Sequence, residues 1–156
     1  MKKSTVLIML IIFLGSVLIV GIFGMQSVPY ESIVYVKSIV PTSVITSDGQ
    51  QVEIQRNARG EYYAIIDYKP SFKDGVEIFE VSVGYNLEPA DCTNKNLKVL
   101  IVYPTADLPC DPLPEDLTTW RGALIFHRKG TVHLQYRAQD SATGAVMDIW
   151  LYVVER

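Results

Sequence analysis

Histidine and cysteine are both scarce, at two residues each in 156. His127 and His133 stand six positions apart with no H-E-x-x-H or C-x-x-C motif around them, so no zinc site is expected. No G-x-S-x-G elbow occurs, and no other nucleophile stands beside an evident base. The chain therefore reads as a non-enzyme, without catalytic residues or a cofactor. Runs of Lys or Arg are also missing. Setting aside Lys2 and Lys3 leaves 12 basic against 17 acidic side chains, a formal charge of −5. That balance argues against a nucleic-acid partner and against adhesion to anionic lipid headgroups.

What the chain does have is one long apolar run. Residues 6–25, VLIMLIIFLGSVLIVGIFGM, contain Ser16 as their only polar side chain. A helix of this length spans about 30 Å, the thickness of a bilayer's hydrocarbon core. Lys2 and Lys3 precede it, and the positive-inside rule keeps them in the cytoplasm with the C-terminal part outside. A cleaved secretory signal usually has a shorter apolar region and an A-x-A-like site. Gly21, Gly24 and Ser27 make only a poor one. The expectation is an uncleaved signal anchor: residues 1–25 form a cytoplasmic stub and a single transmembrane helix whose partner is the lipid bilayer, and the protein lies in the cell membrane with an extracytoplasmic domain.

Residues 26–32, broken by Pro29, read as a linker, and from residue 33 the apolar period falls to two. Strands are expected at Ile33 to Val40, Gln51 to Gln55, Glu61 to Tyr68, Glu77 to Asn86, Leu97 to Tyr103, Ala123 to Arg128, Thr131 to Ala138 and Ala145 to Val154. Asp48-Gly49, Arg59-Gly60, Lys73-Asp74-Gly75 and Lys129-Gly130 supply turns between them. Short strands with a turn every ten residues or so indicate an all-β, antiparallel sandwich over residues 33–156.

The last two strands carry the most specific expectation. If the loop 139–144 closes a hairpin with Ala138 opposite Ala145, Tyr136 meets Met147, Leu134 meets Ile149 and Val132 meets Leu151 inside. The same register sets Gln135 against Asp148, His133 against Trp150 and Thr131 against Tyr152 outside. His133, Gln135, Asp148, Trp150 and Tyr152 are thus a candidate interaction face, for a protein or a cell-surface glycan. The competing reading is that a loop or the linker covers these aromatics as local packing.

Cys92 and Cys110 form an even pair in a domain expected to face an oxidising compartment, so a disulfide between them is expected. Asp107, Asp111, Glu115 and Asp116 lie on or beside the proline-rich loop 104–114. Calcium takes six to eight oxygen ligands, but no D-x-D-x-D-G spacing is present, and a solvated acidic loop is the favoured reading.

Tyr85-Asn-Leu-Glu-Pro-Ala-Asp-Cys-Thr-Asn-Lys-Asn-Leu97 resembles a stretch of the bacterial Ig-like domains of group 2, P-A-D-A-T-N-K-N-V, that links two strands. Gly122-Ala-Leu-Ile-Phe126 and Lys129-Gly-Thr-Val-His-Leu134 are similar to the same family's G-x-V-x-F and G-T-A-x-I patterns. The likeness departs at Val99 and over Ile101 to Pro114. It implies an Ig-like β-sandwich at the cell surface, used in adhesion, attachment or spacing, without catalytic residues. An accessory subunit of a larger membrane complex is the alternative.

Overall fold

The computed structural model describes residues 32–114, 122–139 and 144–156. The expected membrane helix and most of the linker lie outside these residues. Among the described residues no helix is long and apolar enough to cross a membrane. The strands belong to one compact unit, Ile33–Arg156.

That unit is all-β. Its strands are β1 (Ser38–Thr46), β2 (Gln51–Val52), β3 (Gln55–Arg56), β4 (Tyr62–Asp67), β5 (Ser71–Lys73), β6 (Val76–Glu88), β7 (Leu97–Tyr103), β8 (Ala123–Phe126), β9 (Gly130–Ala138) and β10 (Val146–Val154). The first sheet runs β2-β1-β6-β5, with β8 also paired to β6, and the second runs β3-β4-β10-β9-β7. Alternation explains how they close on each other. Phe79, Val81 and Val83 of β6 share one buried cluster with Val132, Leu134 and Tyr136 of β9 and with Met147, Ile149, Leu151 and Val153 of β10. Each buried Val, Leu, Ile or Phe stabilises the fold by about 1.5–3 kcal/mol relative to exposure. Between the sheets, Tyr85 lies 5.5 Å from Tyr136 and Tyr68 lies 5.2 Å from Phe79, ring centroid to centroid.

The β9–β10 register is the expected one. Tyr136 pairs with Met147, Leu134 with Ile149, Val132 with Leu151, Gln135 with Asp148 and His133 with Trp150. The Ala138 amide donates to the Ala145 carbonyl at 2.9 Å, closing the ladder at the loop.

Four expectations need correction. The sandwich is not wholly antiparallel, because β4 runs parallel to β10, with Trp150 beside Tyr63 and Leu151 beside Ala64. The hairpin with β9 sets the direction of β10. No short loop joins β10 to β4, so only the need to bury Ala64 and Ile66 beside Leu151 and Val153 aligns that pair. Second, β1 begins later than expected and passes through Pro41. A register shift between Pro41 and Ser43 absorbs the proline, and β2 covers only Val44 and Ile45, so the missing N–H disrupts no interior ladder. Third, Gln51 to Gln55 is not one strand: β2 joins β1 and β3 joins β4, so the chain changes sheets there. β5 was hidden in the turn before β6, where Asp74 and Gly75 both take positive φ, 53° and 79°, as a two-residue type I′ hairpin requires.

The fourth correction concerns the disulfide. Cys92 and Cys110 are both buried and both unpaired. Cys110 bridges Phe126, which pairs with Phe79 at the start of β6. Cys92 sits just beyond the other end of β6, its amide donating to the Pro89 carbonyl at 3.2 Å. The strand from Phe79 to Glu88 separates them by roughly 30 Å at about 3.3 Å per residue, against the roughly 4.4–6.8 Å between Cα atoms that a disulfide permits. Both flank β7 in sequence, and that nearness does not survive folding.

Candidate binding face

The strands of the second sheet point every other side chain away from the core, and four rings line up across them. Tyr63 on β4 pairs with Trp150 on β10, Trp150 with His133 on β9, and His133 with Tyr103 on β7. The result is a continuous cross-strand row. His133 and Trp150 stack at 4.3 Å with 6° between their planes. Two positions along β10, Tyr152 lies nearly parallel to Trp150, at 6.3 Å and 12°. The end rings turn out of this stack: Tyr103 is tilted 47° to Trp150 at 5.8 Å, and Tyr63 meets Tyr152 edge-on at 6.2 Å and 74°. Offset and edge-to-face geometries of this kind satisfy the ring quadrupoles and hold the side chains in place.

A polar cluster begins one ladder step away, at the Asp148–Gln135 rung that continues to Leu100, and reaches Arg137 on the next rung, between Val146 and Lys98. Arg137 Nε donates to Gln135 Oε1 at 2.5 Å, and Gln135 Nε2 donates to Asp148 Oδ1 at 2.9 Å. His133 Nε2 approaches the same carboxylate oxygen at 3.0 Å but out of line for a hydrogen bond, and it has no hydrogen-bond partner among the described residues. Asp148 ties the polar cluster to the imidazole in the aromatic row.

All five residues of the expected face, His133, Gln135, Asp148, Trp150 and Tyr152, are brought together on one surface. Tyr63 and Tyr103 were missed. Alternation in Tyr62-Tyr63 was visible, but the parallel pairing that brings Tyr63 beside Trp150 was not. Tyr103 reaches His133 only because the ladder shifts register between Ile101 and Tyr103.

The acidic loop is occupied differently. Asp107 pairs with Arg128 at 2.6 Å, and Asp111 with His127 Nε2 at 2.6 Å, so the carboxylates brace the loop against the segment after β8. Glu115 and Asp116 lie outside the described residues. Among the described residues no group of three or more His, Cys, Asp or Glu side chains could hold a metal ion. Cys110, at the base of this loop, has its thiol pushed up to about 11, first by burial and then by the neighbouring Asp111. Burial also raises the Tyr136 hydroxyl far above its usual range, with Tyr85 adding to the effect.

A second concave surface runs beside β7, the outer strand of its sheet. Lys98, Leu100 and Ile101 form one wall and Leu108, Pro112 and Leu113 the other, around a volume of about 320 Å³.

Comparison with protein families, with curated proteins and with solved structures found no match for this chain.

Proposed function

We propose that this chain is a membrane-anchored, extracytoplasmic Ig-like module that acts by binding, in adhesion or in surface architecture. The observation that carries the reading is the aromatic row Tyr63–Trp150–His133–Tyr103 on the outside of the second sheet. Clustered Trp and Tyr side chains are enriched where proteins bind partners. The apolar run 6–25 supports the membrane tether, and the motifs around Pro89 to Asn96 and Gly130 to Val132 support the Ig-like assignment.

The groove beside β7 favours a second reading, an accessory subunit of a larger membrane complex, because a strand edge with no further strand paired to it among the described residues, beside an apolar slot, suits a neighbouring chain. Purification of the full chain in mild detergent separates the two. A chain that runs alone and adheres to cells, with adhesion lost in a folded Trp150→Ala variant, supports the module. A stoichiometric partner that survives Trp150→Ala supports the subunit. Either role requires the chain to stay in the membrane fraction through alkaline and high-salt washing, and release by those washes rejects the anchor.

A further inference from the structure

We propose that the ligand of this face is an uncharged glycan chain, lying along the aromatic row with its hydroxyl groups turned to the Asp148–Gln135–Arg137 cluster. The inference rests on the binding-face reading above and names its ligand class. Three features of the surface argue for it.

The first is that aromatic rings and a polar cluster stand side by side on one face. A pyranose ring has the matching anatomy: C–H bonds make its faces apolar, and hydroxyl groups crowd its rim. Rings such as Tyr103, half exposed at 51%, offer an apolar surface to the sugar face. One ladder step away an amide and a carboxylate, and a second step on a guanidinium, offer donors and acceptors to the rim. Polypeptide suits this surface less well. Protein hot spots are aromatic anchors desolvated inside a surrounding ring of contacts. Here any apolar side chains packed over the rings would also desolvate the polar cluster, at the cost of its bonds to water.

Length is the second feature. The row crosses four strands, β4, β10, β9 and β7, and at about 4.8 Å per strand it spans roughly 14 Å. A single sugar ring covers only part of that, so the face suits a chain of several units.

Charge is the third. Arg137 and Asp148 offset each other within the polar cluster and Lys98 beside Arg137 adds one positive charge, while the sequence after the apolar run carries a formal −5. A polyanion is repelled by that field, whereas an uncharged chain is not.

Calorimetry on the full chain in lipid nanodiscs tests the proposal, since glycoside detergents are themselves sugars. The probes are cellohexaose, xylohexaose, mannohexaose and the hexamer of N-acetylglucosamine, with a heparin hexasaccharide as the charged comparison. The expected result is saturable binding of at least one uncharged hexamer, weakened about tenfold by Tyr103→Ala and by Gln135→Ala. Phe72→Ala, which removes a 78% exposed ring from β5, leaves binding unchanged. Both test positions lie on the outer face, and thermal melts of each variant check its folding. Absence of binding to every uncharged hexamer overturns the proposal, as does preference for heparin or binding indifferent to both face variants. Cell adhesion measured on the same proteins separates the two levels. If Trp150→Ala abolishes adhesion while no hexamer binds, the glycan is wrong and the binding face stands; if adhesion also ignores Trp150→Ala, both fall.

Discussion

On the outer face of the first sheet, Ser43, Glu80 and Ser82 occupy the kind of position that His133, Trp150 and Tyr63 occupy on the second. Small and charged side chains stand there, among Ile45 and Ile125, with no aromatic ring on those rungs. Neighbouring side chains crowd it as well. A Cβ at Gly84 would lie 2.8 Å from Thr42 Oγ1, leaving that face little room for bulk. Both sheets donate alternate residues to one core, so burial constrains their inner faces equally. The outer faces are released from that constraint, and only one of them spends its freedom on large rings. Aromatic side chains exposed for no purpose carry an aggregation liability, which makes the asymmetry informative about function.

The comparison breaks first if the inner faces are not equivalent. Phe79→Ala, from the first sheet, should cost about 3–5 kcal/mol, and Ile149→Ala, from the second, about 2–5 kcal/mol, measured by denaturant unfolding. A loss below about 1 kcal/mol from either would mean that the sheets do not share one core. Next comes Gly130→Ala, at the start of β9, where a Cβ would meet the Pro109 ring at 2.6 and 2.9 Å. The proline ring cannot swing aside as a flexible chain would, so the same unfolding assay should show a loss of about 1–3 kcal/mol.

Smaller in stability, though decisive for the outer faces, is the contrast between Trp150→Ala and Glu80→Ala. The first should cost about 1 kcal/mol, from its ring contacts, and abolish binding. Glu80→Ala should stay within about 0.5 kcal/mol of the parent and bind normally. Should Trp150→Ala cost about 3 kcal/mol or more, its ring belongs to the protein's own packing and the asymmetry loses its functional meaning.

A pH dependence on the first-sheet side, confined to the alkaline range, completes the comparison. Burial raises the Cys110 thiol from an ordinary 9.0 to about 11, so the folded state holds a proton that the unfolded chain gives up. Its contribution to stability is complete below pH 9.0 and is lost as pH rises toward about 11. Unfolding midpoints compared between wild type and Cys110→Ala across that window should converge as the alkaline limit is reached. Parallel curves would show that the thiol is not shielded.

Legibility followed sequence distance. The β9–β10 hairpin was readable residue by residue, because a short loop and two strictly alternating strands admit one register that buries Leu134, Tyr136, Ile149 and Leu151 together. β7 was readable to its ends, since Leu97 to Tyr103 is a dense β-branched and aromatic run between polar and proline-rich stretches. β1 was misjudged at Pro41, where local preference reads as a stop and the long β6 partner carries the strand past it. The cysteines failed most completely. Eighteen positions of sequence looked like proximity, whereas β6 holds their neighbourhoods at opposite ends.

By itself, then, the sequence determined the all-β character of the described residues beyond residue 32, the inward and outward sides of the last two strands, and five members of the candidate face. Period-two alternation and turn residues act over a few positions, so they are written locally. Tertiary structure decided that β4 lies parallel to β10, that Tyr63 and Tyr103 complete the row, and that Cys92 and Cys110 stay apart. Each of these depends on strands distant in the chain choosing neighbours. That choice is made by burying one shared core, and no short stretch of residues contains it.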